Sequence, residues 1–351
     1  MPDERVVVVG IATPLEAELV ARVAAVDDRL QVRYEPGLLP PVRFPGDHRG
    51  VEAFRRTPEQ ELRWRAMLAE AEVLFGLPGD SPEGLADAVR AGDRLRWVQA
   101  TAGGAGEQVR AAGLSGAELG RVSITRAGGV HAGPLAEFAI FGLLAFTKGL
   151  PRLLADQQAR RWEHYPMAEV AGSTLLVVGL GSIGTEVARL AKALGMRVLA
   201  VNRTGRSDCP WVDQVRPARF LGDLLPVAQC VVLTLPLTEQ TGGLIDAAAI
   251  SRMHTGAVLV NVGRGGVVDE PAPIQALEQN LLAGAVLDVA ATEPPPPDSA
   301  LWSFPNVLLS PHTAGLSLRE NERILALFSD NLRRYLAGDE LIGRVDPRRF
   351  Y

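Results

Sequence analysis

Cysteine, lysine and aromatic residues are scarce in this chain of 351 residues. Cys209 and Cys230 are its two cysteines, and Cys230 stands in an apolar, strand-like run. A disulfide framework needs several paired cysteines and a thiolate metal site needs them clustered, so we expect two plain thiols. Lys148 and Lys192 are the only lysines among 36 basic residues. We attribute this bias to a GC-rich genome and derive no function from it.

Long apolar runs and an excess of positive charge are also lacking. The net charge of -5 argues against the basic surface that a nucleic-acid-binding protein needs. No apolar stretch is long enough to span a bilayer, and residues 1–10 begin with acidic side chains where a secretory signal carries basic ones. We therefore expect a cytoplasmic protein without a membrane partner. No histidine, cysteine or carboxylate cluster has the spacing of metal ligands, so we expect no metal.

Short apolar runs alternate with helix-like stretches through the second half of the chain. These runs are Leu175–Val178, Arg197–Val201, Cys230–Leu235, Ala257–Asn261, Ala285–Val289 and Val307–Leu309. The alternation is typical of a parallel sheet with helices on both faces, and it predicts a doubly wound α/β domain of Rossmann type. Because 351 residues exceed what one core usually organises, and 47% of them are hydrophobic, we expect a second domain.

A weaker alternation of helices and strands precedes this region. Its strand candidates are Val6–Val9, Val73–Phe75, Trp97–Ala100 and Val122–Thr125. Helical spacing follows at Pro134–Leu150, interpreted as a buried helix crossing between domains, and again at Leu316–Leu336. We predict a smaller flavodoxin-like α/β substrate domain that is split in sequence, with the cleft at the two crossings. Its first part is 1–131, the inserted nucleotide domain is 132–314, and 315–351 form the return helix and tail.

A glycine-rich motif directly follows the first of the later strands. It reads Gly179-Leu-Gly181-Ser-Ile-Gly184 and opens a helix-like stretch, which is the context that dinucleotide-binding loops require. The first glycine permits the tight turn, the second lets a pyrophosphate approach the backbone, and the third lets helix and strand pack closely. The alternative is a turn without a ligand. We predict a cofactor site that includes Gly179, Gly181, Ser182, Ile183 and Gly184.

The end of the next strand bears on the choice of cofactor. NAD-binding folds usually carry an acidic residue there for the ribose 2′-hydroxyl, but this chain has Asn202, Arg203 and Thr204, followed by Arg206. Without a carboxylate to repel a 2′-phosphate, and with Arg203 able to pair with one, NADP(H) is favoured. NAD(H) stays possible if both arginines are solvated and Asn202 bonds the ribose.

Arg264, Glu293 and His312 follow successive strand candidates and form the candidate catalytic set. Hydride transfer to a keto carbon leaves negative charge on the oxygen, so a site needs a cation and a proton donor. The planar guanidinium of Arg264 suits a carboxylate and a polarised carbonyl. His312 suits proton delivery, and Glu293 against its other nitrogen would fix the tautomer and keep the ring protonated. The alternative for His312 is a structural histidine.

The other histidines receive no catalytic assignment. His48, His164 and His254 stand in polar, loop-like contexts and are predicted to be surface residues. His131 precedes the crossing helix, where it could line the cleft, but a role at the helix start is favoured.

Several motifs together resemble the D-isomer-specific 2-hydroxyacid dehydrogenase family. They are Gly179–Gly184, Leu235-Pro-Leu-Thr238, Asn261–Asp269, Leu287-Asp288-Val289 with Glu293-Pro294, and Leu301-Trp302 through Ser310-Pro311-His312. The resemblance covers roughly residues 73–336 and implies a homodimer. It further implies that the nucleotide contacts Leu235, Pro236, Thr241, Val262, Gly263, Arg264, Asp288 and His312, with Asp288 near the nicotinamide carboxamide. It also implies that Ala102, Gly103 and Gly104 hold the substrate carboxylate together with Arg264 and His312.

This resemblance predicts an oxidoreductase that reduces small 2-keto acids, with glyoxylate and hydroxypyruvate as the first candidates. Many relatives carry an aspartate after the glycine loop where this chain has Ala105 and Gly106, so the shape of that loop is open. A turn without a ligand is the alternative for Thr101–Gly106. The alternative function is a nucleotide-sensing protein like the corepressors that share this fold.

Overall fold

The computed structural model of the chain describes residues 5–350. The expectation about the N-terminal sequence rests largely on residues 1–4, which lie outside that range, as does Tyr351. The chain forms two compact units, Met1–His131 with Leu316–Tyr351, and Ala132–Gly315. The first unit is therefore discontinuous in sequence, and the second is a continuous insert.

The first unit contains a five-stranded parallel sheet with the strand order β2-β1-β3-β4-β5. Its strands are β1 (Val7–Ile11), β2 (Leu30–Arg33), β3 (Val73–Phe75), β4 (Trp97–Gln99) and β5 (Ser123–Thr125). Its helices are α1 (Ala17–Ala24), α2 (Pro58–Glu70), α3 (Pro82–Ala91), α4 (Gly106–Ala111), α5 (Gly116–Arg121) and, after the second unit, α12 (Glu320–Ala337).

Aromatic packing attaches α12 to this sheet. The Phe328 ring lies 4.9 Å from that of Phe75 and 5.1 Å from that of Trp97, measured between ring centroids, and all three side chains are buried. The apolar face of the amphipathic helix α12 thereby covers one side of β3 and β4. Burial of this apolar surface away from water stabilises the first unit. The first unit consequently takes part of its core from the end of the chain.

The second unit contains a seven-stranded parallel sheet with the order β12-β11-β10-β9-β6-β7-β8. Its strands are β6 (Thr174–Val178), β7 (Arg197–Asn202), β8 (Gln214–Pro217), β9 (Cys230–Leu233), β10 (Ala257–Asn261), β11 (Leu282–Leu287) and β12 (Val307–Leu309). Its helices are α6 (Ala132–Thr147), α7 (Leu150–Gln158), α8 (Ser182–Ala193), α9 (Leu221–Leu224), α10 (Ala247–Ser251) and α11 (Pro271–Glu278).

Both strand orders confirm the predicted fold class. The order in the first sheet is that of flavodoxin-like folds, and the second sheet has the Rossmann order extended by one edge strand. Edge strands β2 and β8 were not predicted, because their half-buried residues lack a clear apolar alternation. In open parallel sheets ligands bind beyond the carboxyl ends of the strands, so a ligand site is expected at the loops that follow those ends.

Helix α6 begins and ends close to the predicted bounds and is largely buried within the second unit. A Cβ atom on Gly142 would come within 2.4 Å of the Val286 side chain, so this glycine allows α6 to pack directly on β11. Gly149, with φ at +67°, separates α6 from α7. In the part of the chain that the structure describes, no single helix is long and apolar enough to cross a membrane; α6 and α7 pass that test only when taken together, across a 60° bend.

Cys209 and Cys230 are both free cysteines. Cys230 is buried in β9, and burial strongly raises the pKa of its thiol. A thiol kept protonated in this way is a poor nucleophile and a poor metal ligand.

Candidate active site

The glycine loop after β6 has the shape that its sequence predicts. Gly179 has φ at +106°, a backbone conformation that residues with a Cβ rarely adopt. A Cβ on Gly184 would lie 2.0 Å from the Gly179 carbonyl oxygen, so only glycine permits the close approach of α8 to the turn. Around Gly181, in contrast, a Cβ would meet nothing within 4 Å.

This open space at Gly181 tests whether a dinucleotide fits. Gly181 is the N-cap of α8 and supplies no side chain to the first amide groups of the helix. The backbone N–H groups at a helix N-terminus carry partial positive charge and bind phosphate oxygens well. Gly181, Ser182 and Ile183 therefore fit the pyrophosphate of a nicotinamide dinucleotide.

The loop after β7 is organised by the side chain of Asn202. Its Oδ1 accepts hydrogen bonds from the backbone amides of Thr204 (3.1 Å) and Gly205 (2.6 Å), and its Nδ2 donates to the Arg206 carbonyl at 2.8 Å. Both ends of the amide are thus used within the loop, and the exposed side chains of Arg203 and Arg206 are left to face a ligand.

The loop after β9 packs against the glycine loop. Thr234 Oγ1 donates to the Gly179 carbonyl at 2.5 Å, and a Cβ on Gly179 would lie 2.8 Å from the Leu235 side chain. The Thr241 hydroxyl donates to the Pro236 carbonyl at 2.7 Å and so closes this loop on itself. Thr241 is therefore engaged in shaping the loop, and Leu235 borders the cofactor turn.

Arg264 follows β10 in a loop held by Asn261. The buried Asn261 side chain accepts from the Gly263 amide at 3.0 Å and donates to the Arg264 carbonyl at 3.0 Å. A Cβ on Gly263 would lie 2.7 Å from the Leu235 carbonyl, and one on Gly265 would lie 1.8 Å from the Ala290 carbonyl. The glycines on both sides of Arg264 thus let its loop press against the loops after β9 and β11. Val262 is buried and continues the β10 backbone by donating to Leu233 at 3.2 Å.

Glu293 and His312 form a hydrogen-bonded pair. His312 Nδ1 lies 2.8 Å from Glu293 Oε2, while Glu293 Oε1 accepts from the Ala290 amide at 3.2 Å. An ionised carboxylate can only accept, so Nδ1 carries a proton and donates it to this bond. The Nε2 atom is then the nitrogen that can give or take a proton elsewhere. About half of the His312 side chain is exposed, which leaves Nε2 open to a ligand.

Asp288 shapes the turn that presents His312. Its Oδ1 accepts from the amides of Thr313 and Ala314, both at 2.9 Å, and from the Ser310 hydroxyl. The Asp288 carbonyl accepts from the His312 amide at 2.9 Å, and His312 itself has φ at +52°. The buried carboxylate is therefore an anchor for this strained turn, a role that the resemblance, which places it near the nicotinamide carboxamide, did not indicate.

Ala102, Gly103 and Gly104 lie in the first unit, after β4. The Ala102 carbonyl accepts from the Ala127 amide at 3.1 Å, and the Gly103 carbonyl accepts from Arg126 Nη1 at 3.4 Å. Their own amides donate to no described residue. The loop is thus fixed through its carbonyls while its amides stay available, which is the geometry that binds an anion.

Two predictions about histidines are wrong. His48 is buried, not on the surface, and its Nε2 lies 2.8 Å from Asn321 Oδ1. His131 Nε2 lies 3.0 Å from Glu320 Oε1, so its ring bonds to α12 and not to the start of α6. His164 is exposed, as predicted, and His254 is half-buried.

Sequence reasoning thus missed the positioning roles of Asn261 and Asp288, and it missed Glu320 altogether. An asparagine at a strand end two residues before a glycine is a signal that could have identified Asn261, because its side chain readily bonds to that amide. Glu320 had no such local signal. In the described residues no group of three or more histidines, cysteines and carboxylates could hold a metal ion.

Comparisons with known proteins agree with this geometry. The family described as D-isomer specific 2-hydroxyacid dehydrogenase, NAD binding domain, matches residues 140–314. An (S)-sulfolactate dehydrogenase from Chromohalobacter salexigens is 36% identical over 61% of this chain and 70% of its own length. A glyoxylate reductase from Korarchaeum cryptofilum is 37% identical over 62% of this chain and 67% of its own.

A solved structure extends the likeness to nearly the whole chain. It is a D-isomer specific 2-hydroxyacid dehydrogenase from Xanthobacter autotrophicus in complex with NADPH and MES. It aligns with a TM-score of 0.75 and 27% identity, covering 98% of this chain and all of the other. The fold, the dinucleotide loop and these relatives define an NAD(P)-dependent oxidoreductase acting on CH–OH groups. The chain belongs to the D-isomer specific 2-hydroxyacid dehydrogenase family.

Proposed function

We propose that the protein reduces small 2-keto acids, with glyoxylate and hydroxypyruvate as preferred candidates, and that His312 donates the proton. The observation that carries this proposal is the 2.8 Å bond between His312 Nδ1 and Glu293, which leaves Nε2 as the proton-transfer atom. A bound nicotinamide supplies the hydride for reduction or accepts it in the reverse direction. During reduction Nε2 gives its proton to the keto oxygen, and Glu293 stabilises the ring while it is charged.

Arg264 is proposed to bind the substrate and to stabilise the negative charge that develops on the keto oxygen. Its backbone is fixed by Asn261 and by the close contact of Gly265 with Ala290, so the guanidinium is attached to a rigid part of the loop. The amides of Ala102, Gly103 and Gly104 are proposed to bind the substrate carboxylate.

The proposal is tested by steady-state reduction of glyoxylate and hydroxypyruvate, followed by nicotinamide absorbance. Replacing His312 by Ala should lower kcat by about 100 to 10,000-fold, the usual share of a general acid. His164→Ala changes an exposed histidine of the same unit and serves as the matched control. A near-normal rate for His312→Ala would remove the proton-donor role. Tight nucleotide binding without any turnover would favour the nucleotide-sensing alternative.

NADP(H) is proposed as the preferred cofactor. Asn202 uses its amide inside the loop after β7, which leaves Arg203 and Arg206 as the groups able to pair with a 2′-phosphate. The Xanthobacter autotrophicus relative, solved with NADPH, gives independent support. Arg203→Ala should reduce the preference for NADPH over NADH, measured as a ratio of kcat/KM, by about tenfold or more. An equal preference in wild type and variant would contradict the assignment.

We also propose that the protein forms a homodimer. Trp162 is 92% exposed, and the apolar side chains of Phe141 and Leu154 are about half exposed in the same unit. Apolar surface of this kind is commonly covered by a second chain. Light scattering of the purified protein measures the oligomeric state directly, and a monomer at micromolar concentration would contradict the proposal.

A further inference from the structure

The first unit contains a second pair of a histidine and a carboxylate. His131 Nε2 lies 3.0 Å from Oε1 of Glu320, the first residue of α12. The Glu320 side chain is only 4% exposed, whereas that of His131 keeps 17% of its surface exposed. The carboxylate is thus buried behind the imidazole, and the ring forms the outer member of the pair.

The other ring nitrogen lies against the loop that we propose binds the substrate carboxylate. A Cβ on Gly103 would be 3.6 Å from His131 Nδ1 and 3.5 Å from the Ala127 carbonyl oxygen. The two loops are joined by the hydrogen bond from the Ala127 amide to the Ala102 carbonyl. A substrate whose carboxylate is held by the Ala102–Gly104 amides would therefore have His131 Nδ1 as a neighbour.

Glu320 determines which ring nitrogen of His131 is left for a ligand. Because an ionised carboxylate only accepts, Nε2 of His131 carries the proton in this bond. The opposite nitrogen, Nδ1, accepts a hydrogen bond while the ring is neutral and donates one while the ring is charged. A hydroxyl group both donates and accepts, so it can pair with Nδ1 in either state beside the loop that binds the substrate carboxylate.

We infer that His131 is a specificity residue whose Nδ1 forms a hydrogen bond with a hydroxyl on the carbon beyond the keto group. The substrate class is then the 3-hydroxy-2-keto acids, with hydroxypyruvate as the smallest member. This inference rests on the proposed function, and in particular on the role of the Ala102–Gly104 loop. It adds a reason for preferring hydroxypyruvate over an analogue of equal chain length without the hydroxyl.

His48, the other histidine of this unit, does not compete for the role. Its Nε2 bonds to Asn321 Oδ1, and the Asn321 amide nitrogen in turn donates to Glu16 at 2.9 Å. The side chain is buried, and burial lowers the pKa of the ring. His48 and Asn321 therefore form an interior contact, while His131 reaches the surface beside Gly103.

Two substitutions of His131 separate substrate binding from the support of Glu320. The amide nitrogen of His131→Gln can replace Nε2 and keep the bond to Glu320, but the substitution removes Nδ1. His131→Asn has the opposite effect, since its side-chain oxygen lies near the Nδ1 position and the bond to Glu320 is lost. The measured quantity is the kcat/KM ratio of hydroxypyruvate to pyruvate, which lacks the hydroxyl. His164→Gln, at an exposed histidine, is the matched control.

The inference expects this ratio to fall about tenfold or more in His131→Gln, mainly through the KM of hydroxypyruvate, because a buried hydroxyl without its partner is costly. His131→Asn should keep more of the ratio than His131→Gln. The inference is wrong if both variants lose activity equally on hydroxypyruvate and pyruvate. It is also wrong if the kcat/KM ratio falls in His131→Asn but not in His131→Gln, because the histidine then only supports Glu320. A wild type that reduces no 2-keto acid at all contradicts the proposed function as well, so the two failures are distinguishable.

Discussion

Replacing Asp288 by Asn tests whether the turn at His312 depends on a buried charge. Oδ1 of Asp288 accepts from two amides and one hydroxyl, those of Thr313, Ala314 and Ser310, and the residue is 2% exposed. Asparagine has the same shape and keeps an oxygen for these donors, but it removes the negative charge. It also places an NH2 group where the second carboxylate oxygen was.

The magnitude follows from the three hydrogen bonds. A hydrogen bond to a charged group contributes about 1.5–3 kcal/mol and a neutral one about 0.5–1.5 kcal/mol, so each bond weakens by about 1 kcal/mol. Because the three donors share one oxygen, we expect the free energy of unfolding to fall by about 2–3 kcal/mol. Ser310→Ala removes one donor and should cost about 1 kcal/mol. His312 is held in its left-handed conformation by this turn, so kcat/KM of Asp288→Asn should fall about 10 to 100-fold.

The assay combines urea unfolding, followed by circular dichroism, with steady-state reduction of the 2-keto acid. Asp298→Asn changes an exposed carboxyl in the preceding loop and controls for the loss of one charge. If Asp288→Asn unfolds at the wild-type urea concentration and keeps the wild-type rate, the carboxylate does not anchor the turn and the reasoning is refuted.

Two further predictions use other contacts. A Cβ at Gly265 would meet the Ala290 carbonyl oxygen at 1.8 Å, so Gly265→Ala should displace the Arg264 loop and lower kcat/KM by about 100-fold. A Cβ at Gly266 would meet only the flexible Leu237 side chain, so Gly266→Ala should leave kcat/KM nearly unchanged. Equal values of kcat/KM for the two variants would contradict this prediction. The Arg43 guanidinium, together with the amides of Arg43 and Gly50, holds the pKa of Asp47 well below its ordinary value of 3.8. A lowered pKa in the folded state contributes stability above pH 3.8 that is lost as the pH falls through the lowered pKa. Asp47→Asn should therefore unfold at a lower urea concentration than wild type at pH 7. The difference between the two urea midpoints should shrink below about pH 4, and a difference that does not change with pH would contradict the prediction.

The sequence predicted the apolar strands well, including the edge strands β5 and β12, but it missed the edge strands β2 and β8. Strands β4, β6 and β10 are buried and mostly apolar, so their positions agree with prediction to within a residue or two. The apolar strand β12 was also predicted correctly, although it is only half buried. The edge strands β2 and β8 carry Gln, Arg and Pro and are only half buried. Their pairing comes from the neighbouring strand and not from their own pattern.

In the candidate site, too, residues within a local pattern were predicted, whereas contacts between residues far apart in the sequence were not. The glycine loop could be predicted because its glycines stand between a strand and a helix, and Gly179 and Gly184 answer local steric needs. Glu293 and His312 could be predicted because they follow adjacent strands. The pairs His131–Glu320 and His48–Asn321 join residues 189 and 273 positions apart, and no local pattern encodes such contacts. The resemblance implied a place for Asp288 near the nicotinamide, but its hydrogen bonds to Thr313 and Ala314 join residues 25 and 26 positions apart and follow from no local pattern.

The late position of α12 has a consequence for synthesis on the ribosome. The inserted unit is continuous, so it can complete its core as soon as it has emerged. The first unit must wait, because Phe328 and Leu332 fill its interior and Glu320 reaches His131 only once the last helix is translated. Nascent chains should therefore acquire nucleotide binding before they acquire the histidine contact that we link to substrate choice. Until then the uncovered face of β3 and β4 is a natural target for a chaperone.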